Sequence, residues 1–167
     1  IISSAGNGIL DRLLSTQFNF INQAPPSEND YSIGIKLTLG DFEFFTAGDL
    51  TGENIVRRYG PVQVSYTDIE SSVAKEIGSV EVYRVNHHGS DHSSNPCFSN
   101  VLNPQVSIFS TGRNNRYGHP SIDVYRRLKR YGEVYITGGV ARSHTDEIRR
   151  DIVGDDVEII VSRNGKM

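Results

Sequence analysis

The sequence predicts a layered α/β domain, on three observations. Residues 31–39 alternate apolar and polar, and a second apolar run at 42–47 follows across the tight-turn pair Gly40-Asp41. After these two antiparallel strands, helical and strand-like segments alternate, the pattern of helices laid on a sheet. Polar, glycine-containing loops repeatedly follow the strand ends, where sites of open α/β folds are built.

Residues 3–8 are small and flexible in composition, and Leu10 to Leu14 fit a helical turn or two. Residues 23–30, with adjacent prolines and several turn formers, read as a loop. Ile33, Ile35, Leu37 and Leu39 share one face of the first strand. Phe42 to Ala47 form the second strand and run into Gly48-Asp49-Leu50. Asn54 to Arg58 and Asp68 to Ile77 read as helical, the second with Asp68 as N-cap and Gly78 past its end. Val80 to Val85 is a buried strand, and Phe98 to Leu102 a short helix. Val106 to Ser110 is a further strand. Ser121 then caps an amphipathic helix whose apolar face holds Ile122, Tyr125 and Leu128, ending near Gly132. Val134 to Thr137 and Val157 to Val161 complete the strands, with His144 to Asp151 helical between them.

At 167 residues the chain is long enough for one domain with a proper core, so 1–167 is read as a single domain. A hydrophobic fraction of 37% places it among soluble globular chains. The net charge of −3 gives no global argument for nucleic acid, yet Arg113, Arg116, Arg126, Arg127, Lys129 and Arg130 make a cationic stretch. One cysteine, Cys97, excludes an internal disulfide and is expected to be a buried small side chain. No membrane-length apolar segment and no charged-then-apolar leader stand out, so a soluble, cytoplasmic protein is expected. The start at Ile1 suggests a fragment, a processed product or an incompletely observed protein.

The strongest chemical signal is Val85-Asn86-His87-His88-Gly89-Ser90-Asp91-His92, which brings together three of the five histidines at a strand end. Imidazole is the commonest metal ligand and the usual acid/base group near neutral pH. Adjacent His87 and His88 diverge, so one can bind metal while the other orients it or contacts substrate. Ser90, Asp91 and Ser93 offer oxygens to hold the second ring nitrogen, and Gly89 allows close approach. His92 is as readily an exposed loop residue. Asp49, after Gly48, can coordinate metal, or simply cap a helix beginning beyond it. His119, on a loop entering a helix beside Arg113 and Arg116, suits a phosphate contact as well as a structural turn. His144 reads as surface. No Gly-x-Ser-x-Gly elbow and no phosphate-binding loop ending in Gly-Lys-Ser/Thr is present.

Asn29-Asp30-Tyr31-Ser32, Phe44-Phe45-Thr46-Ala47-Gly48-Asp49-Leu50, His87-His88-Gly89-Ser90 with Ser93-Ser94-Asn95, Asn114-Asn115 and Tyr117-Gly118-His119-Pro120 occur in order. Together they resemble the metallo-β-lactamase-fold hydrolases, nearest the ComEC-type competence proteins and their stand-alone relatives. The resemblance covers residues 29–137, leaving 1–28 a poorly matched lead-in. It implies a four-layer αββα sandwich, of which this chain is the C-terminal portion. It also implies a site holding two Zn²⁺ or Mn²⁺ ions in the complete protein. Asp49, His88 and His87 would be metal-site and catalytic residues, and Ser90, Arg113, Asn115 and His119 would bind substrate. A metal-bound hydroxide would hydrolyse a phosphodiester or related ester, with nucleic acid among the candidate substrates.

The family's His-x-His-x-Asp-His segment has no counterpart here, since no histidine precedes His87. A two-metal site needs roughly six protein ligands, and the chain offers about half of them. The alternative reading is a catalytically incomplete remnant or binding module of the same fold.

Overall fold

A computed structural model describes residues 27–113, 115–140, 146–165 and 167, with the backbone of Ser3–Ser4 (β1) and Asn7–Gly8 (β2), which pair antiparallel. The expected helical turn at Leu10–Leu14 and the surface position of His144 fall outside the described residues. A 3₁₀ turn at Glu28–Tyr31 opens the continuous part, capped by the Ser27 hydroxyl, which accepts from the Asn29 amide. Then follow β3 (Ile35–Leu39), β4 (Phe42–Thr46), β5 (Ile55–Tyr59), β6 (Val62–Tyr66) and α1 (Glu70–Ile77). After these come β7 (Val82–Arg84), α2 (Pro96–Leu102), β8 (Val106–Phe109), α3 (Ile122–Lys129), β9 (Glu133–Ile136) and α4 (Asp146–Arg149).

Five strands form one mixed sheet in the order β3-β4-β7-β8-β9. Only the β3–β4 pair is antiparallel; β4, β7, β8 and β9 run parallel. Period-two alternation sends Phe45, Tyr83, Phe109, Val134 and Ile136 to one face, where they pack with Val73, Phe98, Tyr125 and Leu128 of the helices. Phe45, Tyr83 and Phe98 meet ring to ring at centroid distances of 5.7–6.2 Å. Fully burying each such side chain contributes roughly 1.5–3 kcal/mol. The opposite face carries Phe42, Val82 and Ile108, covered by Val157, Ile159 and Val161. Beyond that cover the edge strand's apolar row is open: Ile33, Ile35, Leu37 and Leu39 are each 40–56% exposed.

Several expectations are corrected. Asn54 to Arg58 is not helical: Ile55–Tyr59 pairs with Val62–Tyr66 as an antiparallel hairpin closed by Gly60-Pro61. β-branched and aromatic residues on both sides of a two-residue turn favour that ladder over a helix. Residues 157–161 join no ladder; they pack their odd-numbered side chains on the sheet without pairing to it. Cys97 is exposed, at the outer side of the first turn of α2. Ser121 occupies the cap position of α3 without a side-chain cap bond. Asp68 does act at the start of α1, where its Oδ1 accepts from the Ser71 amide at 2.9 Å. No helix among the described residues is long and apolar enough to cross a membrane.

Candidate functional site

Because β4, β7 and β8 are parallel, their carboxyl-terminal loops emerge at one end of the sheet. Those loops carry Asp49, His87–His88 and residues 110–119. Between them lies a cleft of about 710 Å³, lined by Asn29, Asp49, His87, His88, Asn115 and His119 among others. That volume suits a small ligand or part of a larger one.

Asp49 follows Gly48, whose φ of +54° turns the chain out of β4. The Asp49 amide donates to the Ser32 hydroxyl at 3.2 Å, and the His87 amide donates to the Gly48 carbonyl at 2.9 Å. The aspartate thus sits between the two loops that flank it. Its carboxylate Oδ1 lies 3.5 Å from Nε2 of His88, both side chains about 40% exposed in the cleft. Nδ1 of His88 lies 2.6 Å from the Ser110 carbonyl, which can only accept, so Nδ1 carries the proton. Nε2 is the ring nitrogen that faces Asp49. Such a held imidazole is the usual form of a metal-ligating histidine.

His87 is placed differently. Burial, assisted by the imidazoles of His119 and His88 and opposed by Asp49, pushes its pKa down to about 4. It is therefore neutral near pH 7. Its Nε2 lies 3.3 Å from Nδ2 of the Asn29 side chain, and its Nδ1 is buried with no partner among the described residues. His119 is also lowered, chiefly by burial and then by His88. Its ring stacks nearly parallel on those of His88 at 6.3 Å and Tyr117 at 5.9 Å.

The backbone of this loop is unusual. His87 and His88 have φ of 49° and 54°, left-handed values that cost a non-glycine residue about 1–2 kcal/mol each. Strain of this kind persists where neighbouring contacts fix the chain, and it concentrates at functional sites.

The structure brings Asp49, His87, His88, Asn115 and His119 to one cleft. Asn115 donates through Nδ2 to the His119 carbonyl and accepts from the Tyr117 amide, shaping the 115–119 turn. Ser90 is 2% exposed; its hydroxyl contacts Asp91 and the His92 amide rather than lining the cleft. Arg113 is exposed beside the cleft, while its neighbour Arg116 lines it. His92 is not an exposed loop residue: it is buried, 2.8 Å from Glu53 and stacked on Tyr66 at 5.2 Å. Residues not foreseen as part of the site are Asn29, Tyr117 and, behind the loop, Glu70. Among the described residues no group of three or more His, Cys, Asp or Glu side chains is arranged to hold a metal ion.

No protein-family model matches the chain. It is 30% identical over 135 residues to ComE operon protein 3 of Bacillus subtilis, covering 78% of this chain and 16% of that protein. To Recombination protein 2 of Haemophilus influenzae it is 26% identical over 142 residues, covering 85% and 16%. A 65-residue stretch is 37% identical to Competence protein ComA of Neisseria gonorrhoeae, covering 38% of this chain and 9% of that one. The chain therefore spans only 16% of the length of the first two relatives. By these matches it is similar, at low identity, to one part of larger competence- and recombination-related proteins.

Proposed function

We propose that this chain carries one corner of a divalent-metal site in a hydrolase of the metallo-β-lactamase superfamily, acting on phosphodiester or related ester bonds. The observation that supports it most is the Asp49–His88 pair, 3.5 Å apart in the cleft, with the histidine's other nitrogen tied to Ser110. A carboxylate and an imidazole suit Zn²⁺ or Mn²⁺. The buried, unpartnered Nδ1 of His87 marks a second nitrogen near the pair whose polar need the described residues leave unmet. Asp49 and His88 would hold the ion, and the remaining ligands would come from elsewhere in the complete protein. When bound, such an ion lowers the pKa of a bound water and polarises a phosphoryl oxygen.

The chain's own residues supply the rest. His119, kept mostly neutral by burial, faces the cleft beside His88, where it can hydrogen-bond a phosphoryl oxygen. Arg116 offers a bidentate fork for charge developing on that group. Asn29, against His87, fixes that ring's orientation. Competence and recombination in the relatives' names make nucleic acid the leading substrate class.

The open apolar row of β3 supports the four-layer αββα reading. Helices cover one sheet face, whereas part of the other has no cover among the described residues, as expected of a sheet that packs against a second one. The lack of a three-ligand group among the described residues favours the second reading, a binding module of the same fold.

Elemental analysis and calorimetry on the complete protein test the metal. The expected result is stoichiometric Zn²⁺ or Mn²⁺, weakened at least tenfold by Asp49→Asn. A complete protein that takes up neither ion ends the hydrolase reading and leaves the binding module.

A further inference from the structure

We propose that Glu70 is a positioning residue for the His87–His88 loop, holding both of its ends to one buried carboxylate. Its link to chemistry rests on Asp49 and His88 being metal ligands; the geometry stands apart from that reading.

Glu70 begins α1 on the stripe that buries Val73, Ala74 and Ile77 and is itself 0% exposed. A carboxylate there must be desolvated, which disfavours it, where an aliphatic side chain would fill the space without that cost. What a hydrocarbon cannot do is accept hydrogen bonds. Oε1 of Glu70 accepts from Nδ2 of Asn86 at 2.8 Å and from the Ser94 amide at 2.7 Å. Oε2 accepts from the Asn95 amide at 2.8 Å. Asn86 immediately precedes His87, and Ser94–Asn95 close the loop. One side chain therefore pins the start and the end of the segment that carries both histidines.

Surrounding contacts reinforce the same two points. The Asn86 amide donates to the Tyr83 hydroxyl at 2.9 Å, and that hydroxyl lies 2.8 Å from the Ser94 hydroxyl. Arg127 donates to the Ser94 carbonyl rather than pairing with the carboxylate. A Cβ at Gly52 would lie 2.1 Å from Oε2, so the chain leaves that space to Glu70. Between the pinned ends, His87, His88 and Ser94 all hold positive φ. Backbone in this region reverts to ordinary conformations unless its ends are fixed. If the loop relaxes, the Nδ1 contact of His88 with Ser110, and with it the aim of Nε2 at Asp49, goes with it.

Native-state hydrogen exchange on the full chain tests this. Glu70→Gln retains one acceptor oxygen and sets an NH₂ group against an amide donor. Its amides from 86 to 95 should exchange at least tenfold faster, while those of Phe45 and Val82 in the sheet keep their rates. Val73→Ala, on the same face of α1, serves as the control for general destabilisation. Equal exchange of the loop in the two variants overturns the proposal. Should Glu70→Gln not fold, Asn86→Ala removes the pin before His87 and is judged by the same criterion. Zn²⁺ titration of the same proteins separates the two claims. Faster loop exchange with a tenfold loss of Zn²⁺ affinity supports both. Faster loop exchange in a protein that takes up no Zn²⁺, even when complete, keeps the anchor and removes the metal reading.

Discussion

At the residue scale, the chemistry rests on how two imidazoles are held. His88 donates its Nδ1–H to the Ser110 carbonyl and faces Asp49 with Nε2, whereas His87 is half-buried, neutral and next to Asn29. The sequence carried this distinction only as the divergence of adjacent side chains; which histidine faces Asp49 depends on the positive-φ backbone, a tertiary outcome. Glu70 was legible in principle, because it occupies the apolar stripe of α1 at spacings of three, four and seven from Val73, Ala74 and Ile77. An acid in such a stripe signals a buried polar anchor. Burial pushes its carboxyl from an ordinary value of 4.5 up to about 7, against the donors that pull it down. The folded state then binds more protons than the unfolded one between those values. Stability from this group is full below about pH 4.5 and is lost as pH rises through about 7. Denaturant titration should show the wild type losing stability relative to Glu70→Gln between pH 5 and pH 8. The expected loss is on the order of 3 kcal/mol. Parallel pH profiles for the two proteins would contradict it.

At the element scale, most strands and helices follow from periodicity, and the failures have identifiable causes. The Ile55–Tyr59 segment has enough arginine and aliphatic character to resemble a short helix, but its partner across Gly60-Pro61 decides for a hairpin. Residues 157–161 alternate like a strand because one side packs on the sheet, although they pair with no described strand. His92 resembles an exposed loop residue in sequence, and the hairpin's Tyr66 covers it in the fold. The loop between β7 and α2 also depends on Gly89, whose φ is +78° and whose absent Cβ would sit 2.5 Å from the Phe109 ring. Gly89→Ala should lower stability by about 2–4 kcal/mol, from backbone strain plus the clash. Chemical denaturation measures this directly; a change within about 0.5 kcal/mol would show that the loop yields at no cost.

At the scale of the whole molecule, one sheet is sealed by helices on one side and incompletely covered on the other. The alternation at Ile33, Ile35, Leu37 and Leu39 identified an apolar face correctly, yet nothing among the described residues buries it. That absence could not be read from the sequence, which shows which face is apolar but not what covers it. If a second sheet in the complete protein packs there, Leu37→Lys should cost about 1–3 kcal/mol in the complete protein and less than about 0.5 kcal/mol in this chain alone. Equal small effects in both would mean that the row faces solvent. On the proposed hydrolase reading, the further ligands that Asp49 and His88 lack among the described residues would come from elsewhere in the complete protein.

If Asp49 and His88 belong to one metal-dependent hydrolytic site, the complete protein should hydrolyse a simple phosphodiester such as bis(p-nitrophenyl) phosphate. Turnover should need Zn²⁺ or Mn²⁺, vanish on chelation, and fall by about a thousandfold or more in both Asp49→Ala and His88→Ala, a loss of at least about 4 kcal/mol in transition-state stabilisation. Turnover that survives both substitutions together would contradict a shared site.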